Sequence, residues 1–437
     1  MGELYSPGPP ALNDGTAVCA DRSRRGFTAR AAGFIRSGLA LLCLVSAAAG
    51  ATLVRAPYLQ NVQAGRASIL WTTEEPGVGV AFVSDGHSAR NATAQIRAFL
   101  PAETSLATAF YQYQAELTGL RPGTTYTYSV MVNGETLASS AADGSPLHFT
   151  TEGPGPFSFL VLGDSGEGTP EQMQIASLLS AEPAVALVLH MGDLACDLGT
   201  FAQLDSNYFA VYASLMQRVP FFPAPGNHEY DTNRAAPYLS AHAPPDSGVP
   251  APDTGRYYSF DWGDAHFTSL DSNLLGTASE GQMLAWFDQD LQASRKLWKI
   301  VYFHHTPYPS GHHLGDPTCV RALAVIDPIA ERNGVQLVLS GHEHSYQRSV
   351  PLSNGRPAPR GLGTTYIISA GGGQALQNIG QLPTTAAAMA VHNYLRVDLD
   401  GSRLAIRVIG LGGVWLDQVV LNATPAAKPV ISPPPSH

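Results

Sequence analysis

The chain has few charged side chains and no run of basic residues in its body. Only 14% of its 437 residues are charged, and 35 acidic residues outnumber 25 lysines and arginines, which gives a formal net charge of −10 at pH 7. A protein that binds nucleic acid along a broad face needs clustered cations against the phosphates. We therefore expect no nucleic-acid partner. A small phosphorylated substrate is compatible with this charge, because bound cations would dominate the local field.

Cysteines are scarce, and apolar runs long enough to span a membrane are missing. The four cysteines are Cys19, Cys43, Cys196 and Cys319. The first two fall in a predicted leader, and the two that remain do not make a disulfide framework. Whether they pair is left open. No stretch after residue 51 is long and apolar enough to cross a bilayer, so we expect no stable membrane anchor.

The N-terminal residues 1–51 have the features of an export signal. The sequence S-R-R-G-F at 23–27 resembles the twin-arginine signal motif, and an apolar run follows at 38–51. That run is short for a bilayer span and ends in A-G-A at 49–51, a small-x-small cleavage pattern. We predict cleavage after residue 51 and export to the periplasm or the exterior. An uncleaved anchor is the alternative.

Two sequence patterns divide the remaining chain. Residues 52–151 contain short β-rich runs between turn signals, which predicts an all-β sandwich. After a Gly-Pro linker, residues 155–421 alternate apolar runs with helical spacing, which predicts an α/β domain with a layered, largely parallel β-sheet core flanked by helices. The tail at 422–437 is rich in Pro and Ala and is predicted to be disordered.

Five apolar runs in the second domain end in side chains that can bind metal. These side chains are Asp164, Asp193, Asn227, His304, His342 and His344. Because the carboxyl ends of parallel strands meet at one edge of a sheet, we expect the six to lie together at one edge. Carboxylate, amide and imidazole ligands suit zinc, iron or manganese. Six ligands are too many for one tetrahedral zinc but fit two ions about 4 Å apart that share a carboxylate.

The order and spelling of the motifs resemble the purple acid phosphatases, within the calcineurin-like metallophosphatases. The motifs are D-S-G at 164–166, G-D-L-A-C at 192–196, G-N-H-E at 226–229, V-Y-F-H at 301–304 and G-H-E-H at 341–344. In the first domain, L-R-P-G-T-T-Y at 120–126 resembles the corner of a fibronectin type III sandwich, where a tyrosine hydroxyl bonds back to the chain. The two resemblances together cover nearly all of the chain after the leader.

The resemblance implies a dinuclear site with a bridging Asp193. It implies a ferric-type site of Asp164, Asp193 and His344, and a divalent site of Asp193, Asn227, His304 and His342. The implied cofactors are two metal ions, iron together with zinc, manganese or iron.

The resemblance also implies roles around the metals. His228 would bind phosphate or protonate the leaving group, which makes His228 and Asp193 the candidate catalytic residues. Asn227, His228, His312 and His313 are the candidate substrate-binding residues. Glu229 is expected to orient its neighbours.

One position departs from the family pattern. The tyrosine that ligates ferric iron and gives the purple colour is Cys196 here. The thiol could ligate the first metal as thiolate, it could point away and leave a water in the gap, or another tyrosine could reach in. Because cysteine is much shorter than tyrosine, we favour the second arrangement and expect no purple colour.

These features predict an exported, dinuclear metal-dependent phosphatase. It would hydrolyse phosphate monoesters by attack of a metal-bound hydroxide on phosphorus. A phosphodiesterase or nucleotidase would use the same metal pair. A surface binding protein with an inert metal-binding domain is the alternative from another class. The oligomeric state is not indicated by the sequence.

Residues 1–51 should be absent from the exported protein. The twin-arginine route needs both arginines, so replacing Arg24 and Arg25 with lysine should block export. Intact mass spectrometry and immunoblots of cell fractions measure the two effects. An intact N-terminus would show an anchor, and unchanged export of the lysine variant would show the general secretory route.

Overall fold

The computed structural model describes residues 50–359 and 362–423. The predicted leader, apart from Gly50 and Ala51, and the tail from 424 onwards lie outside the described residues. Within the described ranges, no helix is long and apolar enough to cross a membrane.

The N-terminal region is all-β, as the sequence predicts. Its strands are β1 (Leu53–Gln60), β2 (Arg66–Thr73), β3 (Gly79–Ser84), β4 (Ala89–Thr93), β5 (Gln95–Phe99), β6 (Phe110–Thr118), β7 (Thr125–Val132), β8 (Glu135–Ala138) and β9 (His148–Thr150), and helix α1 (Pro101–Thr104) precedes β6. One sheet has the order β1-β2-β6-β5 and the other β4-β3-β7-β8, with β9 beside β7.

Alternating side chains of these strands build the core between the two sheets. In β7, Tyr126, Tyr128, Val130 and Val132 are buried and the residues between them are more exposed, which is the two-residue period of a half-buried strand. The Tyr126 hydroxyl accepts a hydrogen bond from the Arg121 N–H at 2.9 Å. This bond is compatible with the predicted corner, and the fibronectin type III resemblance of the region stays a prediction.

The C-terminal region alternates strands and helices before it ends in a meander. Its strands are β10 (Phe157–Leu162), β11 (Val185–Met191), β12 (Phe221–Ala224), β13 (Tyr258–Trp262), β14 (Ala265–Ser269), β15 (Trp298–His305), β16 (Leu337–Gly341), β17 (Tyr346–Ser349), β18 (Leu352–Ser353), β19 (Arg356–Pro357), β20 (Thr365–Ser369), β21 (Thr385–Met389), β22 (Asn393–Asp400), β23 (Arg403–Gly410) and β24 (Trp415–Asn422).

The helices lie between these strands. They are α2 (Pro170–Ala181), α3 (Phe201–Leu204), α4 (Ala210–Met216), α5 (Asn227–Tyr230), α6 (Ala236–Ala241), α7 (Glu280–Ala293), α8 (Pro317–Val325) and α9 (Asp327–Arg332). A π-helical segment, Asp205–Phe209, joins α3 to α4, and short 3₁₀ turns cover Ser272–Leu274 and Leu411–Gly413. Strand β24 includes Asn422, so the regular structure extends one residue into the predicted tail.

All of these strands except β18 and β19 form two sheets, which corrects the expectation of one largely parallel sheet; β18 and β19 form a separate two-stranded sheet. The first has the order β12-β11-β10-β22-β23-β24 and the second β13-β14-β15-β16-β20-β17-β21. Strands β10 to β12 pair in parallel and the β22–β24 meander extends their sheet antiparallel. The second sheet is parallel from β14 to β20. Three of the five motif-bearing strands therefore belong to one sheet and two to the other.

The two sheets face each other between outer layers of helices. In the first sheet, Phe159 and Val161 pack in the core between the sheets, whereas Leu160 and Leu162 pack against α2 and α4. The second sheet repeats the pattern, with residues of β15 and β16 alternating between the shared core and helices α7 and α8. The predicted layered core flanked by helices is confirmed. Strands buried on both faces explain the unbroken apolar runs.

A buried cation ties the N-terminal strands to this domain. Arg55 of β1 is 5% exposed. Its guanidinium donates to Asp205 Oδ1 at 2.6 and 2.9 Å and lies 3.8 Å over the ring of Phe209. The Tyr58 hydroxyl donates to the Ala241 carbonyl at 2.7 Å. Strand β1 is thus bonded to Asp205, which follows the second candidate metal-binding motif, and to Ala241, which follows the third.

Replacing Arg55 with methionine should destabilise the protein. The variant keeps apolar contact with Phe209 but leaves Asp205 without its partner, and we expect a loss of about 2 kcal/mol in the free energy of unfolding. Urea unfolding measures it. Arg321→Met is the matched control, since the Arg321–Glu280 pair has its arginine 48% exposed, and it should shift the transition less. Equal shifts would show that the Arg55 contact is not special.

Candidate metal centre

The candidate ligands approach one another because glycines precede them at the strand ends. Gly226 lies against the Asp193 carboxylate and Gly341 against the Asp164 carboxylate, and a Cβ on either glycine would collide with those oxygens. Gly226 therefore allows the ends of β11 and β12 to approach each other within the first sheet, and Gly341 allows the end of β16 to meet the end of β10 across the two sheets.

Three of the six candidates adopt a left-handed backbone conformation. The φ angles are 56° at Asp164, 55° at Asp193 and 73° at His342. Such conformations cost a non-glycine residue about 1–3 kcal/mol and persist where the surroundings hold them, often at functional sites. Here they turn side chains sharply off the strand ends.

Three predicted ligand atoms of the divalent site lie around the fourth, His304 Nε2. Its Nε2 lies 2.9 Å from Asn227 Oδ1, 3.4 Å from Asp193 Oδ2 and 3.1 Å from His342 Nδ1. A tetrahedral ion with bonds of about 2.1 Å separates its ligand atoms by roughly 3.4 Å. The donor types and the three distances to His304 Nε2 are therefore compatible with one cation.

The other predicted site shares Asp193. Ligand atoms of Asp164, Asp193 and His344 lie within 4.8 Å of one another, and His344 Nε2 is 3.5 Å from Asp164 Oδ1. The structure thus brings all six candidates together in two groups, with Asp193 in both. The residues fit a pair of ions with one shared carboxylate.

Backbone carbonyls select the ring nitrogen that two histidines offer. His304 Nδ1 lies 2.9 Å from the Met191 carbonyl, and His344 Nδ1 lies 2.8 Å from the Ala375 carbonyl. A carbonyl only accepts, so each Nδ1 carries a proton and each Nε2 presents a lone pair in the neutral ring. This is the usual support for histidines that bind metal.

Burial and close charges set the protonation of the centre. Burial raises the pKa of Asp164 well above its usual range, and the nearby Asp193 carboxylate adds to this rise. Burial opposes the charge on His304, but the Asp193 carboxylate outweighs it and raises the pKa of His304 to about 10. Burial lowers the pKa of His344 to about 4. A cation would therefore meet a neutral His344 and would displace a proton from His304.

Glu229 holds the two loops that carry the shared aspartate and the candidate amide ligand. Its buried carboxylate accepts hydrogen bonds from the backbone N–H groups of Asp193, Leu194, Ala195 and Gly226 at 2.7–3.1 Å. Burial raises its pKa to about 7. This contact pattern is the orienting role that we expect for Glu229.

His228 lies at the open side of the centre. Its side chain is 29% exposed, its Nε2 is 3.8 Å from Asp193 Oδ2, and its Nδ1 donates to the Asp197 carbonyl at 2.5 Å. The ring is therefore oriented by backbone and keeps one nitrogen available next to the shared carboxylate, as a group that contacts substrate needs.

The two loop histidines, His312 and His313, differ in burial and in contacts. His313 is half-buried, and its ring centroid lies 3.8 Å from that of His342. His312 is exposed, and its ring contacts that of His313, 4.8 Å away between centroids. Only His313 therefore contacts a candidate ligand directly.

The Cys196 side chain faces the cluster, which differs from the arrangement that we favoured. The thiol is buried, with its Sγ within 4.8 Å of ligand atoms on Asp193 and His228. It accepts a hydrogen bond from the Gln374 side-chain amide. Burial and the Asp193 charge raise the pKa of the thiol. Cys196 and Cys319 are both free thiols.

Sequence reasoning missed a sixth strand end that supports the site. Strand β14 is followed by Asp271, Ser272 and Asn273. The Ser272 hydroxyl contacts His305 Nδ1 at 2.8 Å, and Asn273 Nδ2 donates to the Gly226 carbonyl at 3.2 Å. Its signal is weaker than that of the five recognised motifs, because residues 265–270 read A-H-F-T-S-L, with polar residues at three of the six positions.

Comparisons with known proteins agree with this site. The profile of the calcineurin-like phosphoesterase family matches residues 157–346. Acid phosphatase type 7 of Mus musculus is 26% identical over 368 residues, covering 76% of this chain and 80% of the relative. Acid phosphatase type 7 of Homo sapiens is 27% identical over 266 residues, covering 54% of this chain and 59% of the relative.

A solved structure shares the fold over most of the chain. It is the purple acid phosphatase PPD1 from yellow lupin (Lupinus luteus), with a TM-score of 0.71 and 16% identity, covering 84% of this chain and 74% of the lupin chain. The family match covers all five motifs that carry the candidate metal ligands, from Asp164 to His344. The relatives support the chain's place among the phosphoric ester hydrolases.

Replacing Cys196 with serine should change activity by no more than about threefold, because a hydroxyl also accepts the Gln374 hydrogen bond. The parent protein should lack purple colour, and Cys196→Tyr supplied with iron should gain a visible absorption band. Turnover and absorption spectra measure these effects. X-ray absorption spectroscopy of the metal-loaded parent tests the opposite case. A metal–sulfur distance of about 2.3 Å would show that Cys196 is a ligand.

Proposed function

We propose that the chain is an exported, two-metal phosphatase that hydrolyses small phosphate monoesters. One observation carries the proposal: two groups of candidate ligands share the Asp193 carboxylate. One group has four members and includes His304, and the other has three members and includes Asp164. The acid phosphatases among the relatives support the monoester as substrate. Iron with zinc, manganese or iron remains the proposed metal pair.

The cations would supply a bound water of lowered pKa and positive charge against the phosphoryl oxygens. Asp164, Asp193 and His344 would hold one cation, and Asp193, Asn227, His304 and His342 the other. Because four of the six candidate ligands are buried and Asn227 and His344 are only partly so, substrate would approach from the side where His228 is exposed.

The chain's own residues then orient the ester and move a proton. His228, fixed by the Asp197 carbonyl, would contact the phosphoryl group and protonate the leaving oxygen. Asn227 and the histidines at 312 and 313 would line the substrate side. The Glu229 carboxylate would keep Asp193 and Asn227 in place as charge develops.

The first experiment is hydrolysis of an aryl phosphate monoester by the metal-loaded protein, with and without a chelator. We expect turnover that the chelator abolishes. A bis-aryl phosphate run in parallel identifies a diesterase if it is the better substrate. A metal-loaded, folded protein with no turnover on either ester would favour the inert binding protein.

Two variants separate ligand from proton donor. Asp193→Asn should lower activity by about 10³-fold or more and reduce the content of both metals, because the shared carboxylate balances two cations. His228→Ala should lower kcat by about 10²-fold, the usual contribution of a general acid, with both metals retained. Metal analysis and steady-state kinetics measure this. A metal-replete Asp193→Asn within tenfold of the parent would contradict the bridging role.

A further inference from the structure

A second buried glutamate, outside every role assigned above, anchors the loop that carries His312 and His313. Glu343 stands between the two histidines of the G-H-E-H motif and is fully buried. Its Oε1 accepts hydrogen bonds from the N–H groups of Ser310 at 3.1 Å and Gly311 at 2.8 Å, and its Oε2 accepts one from His313 N–H at 3.2 Å.

A fourth donor completes the shell of this carboxylate. Gln347 Nε2 donates to Glu343 Oε1 at 2.6 Å and also to the Ser345 hydroxyl. A buried carboxylate is tolerated when hydrogen bonds satisfy its oxygens, and removing one leaves the donors unpaired. The loop at 310–313 therefore depends on Glu343 for its backbone conformation.

The His313 ring also contacts the Gln377 side chain and the His342 ring. The Gln377 side-chain amide donates to His313 Nε2 at 3.2 Å, and the same side chain accepts the His344 N–H at 3.0 Å. The other ring of the stack, His342, also contacts His305, with centroids 4.4 Å apart. Since Nε2 of His313 accepts from an amide, the neutral ring carries its proton on Nδ1. No described residue hydrogen-bonds that Nδ1, which leaves it as a free donor.

We propose that Glu343 is a positioning residue that holds His313 against His342 so that the free Nδ1–H of His313 contacts the phosphoryl group of the substrate. The inference rests on the proposed function. Glu343 acts through the backbone N–H of His313, and it contacts neither the candidate ligand atoms nor the substrate.

The substitution Glu343→Gln tests this with little change in shape. The amide oxygen can keep the three hydrogen bonds at the Oε1 position, which places the amide nitrogen opposite His313 N–H, donor against donor. We expect KM for an aryl phosphate monoester to rise about 10- to 100-fold, the usual cost of losing an orienting partner. The value of kcat should stay within about threefold, since contacts made equally in ground and transition state affect KM.

A double-mutant cycle with His313→Ala identifies the route. If Glu343 acts through His313, adding Glu343→Gln to His313→Ala should raise KM by less than about twofold. Glu229→Gln is the matched control, because Glu229 binds the loops that carry Asp193 and Asn227. The effect of Glu229→Gln on KM should multiply with that of His313→Ala. Multiplying effects of Glu343→Gln and His313→Ala would overturn the proposal, as would loss of metal from Glu343→Gln.

Binding of inorganic phosphate keeps this test separate from the test of activity. Calorimetry on the metal-loaded parent, Glu343→Gln and His313→Ala should show weaker phosphate binding in both variants by the same factor. Parent binding without turnover would contradict the proposed function alone, and unchanged binding in Glu343→Gln would overturn the role of Glu343. If Glu343→Gln does not fold, Gln347→Met removes one donor to the same carboxylate and should raise KM several-fold, again without effect in the His313→Ala background. An unchanged KM would contradict the proposal.

Discussion

The candidate metal centre depends on one carboxylate that belongs to two groups of candidate ligands. Asp193 is buried, belongs to both candidate sites, and is held in a left-handed backbone conformation. Its own N–H is bound by Glu229, which also binds the loop of Asn227. Any shift of β11 against β12 would therefore move both sites. The two-sheet core and its helices keep the strand ends in register, so fold stability and site geometry rest on the same packing.

The sequence predicts the strand ends well and their grouping poorly. Asp164, Asp193 and His304 lie where the apolar runs stop, as expected from a buried strand. The expectation of one sheet was wrong because a strand such as 337–341 is apolar whichever sheet it joins. The spacing of apolar runs along the chain does not determine which strands pair. The direction of the Cys196 thiol and the burial of Glu343 depend on loops closed by distant partners, Gln374 and the 310–313 backbone, so local pattern could not give them.

Glu229 and Glu343 hold loops beside the candidate metal centre by the same kind of contact. Each carboxylate lies in a metal motif and binds backbone N–H groups from a loop of another strand end. A main-chain N–H group is lost only by substitution to proline, and a carboxylate can accept several such groups with its charge. Buried charge at these two points is thus the structural condition for ordered loops around a cluster that is itself highly charged.

The carbonyls of Met191 and Ala375 have a consequence for how this centre can change. They fix the tautomers of His304 and His344 through peptide atoms, whatever side chains surround them. Mutation can alter the charge, size or openness of the surroundings and can thereby retune which ion is retained. It cannot easily exchange the nitrogen that each ring offers. We therefore expect substitutions in the loops and at Cys196 to change the site, while the direction of the lone pairs stays with the backbone.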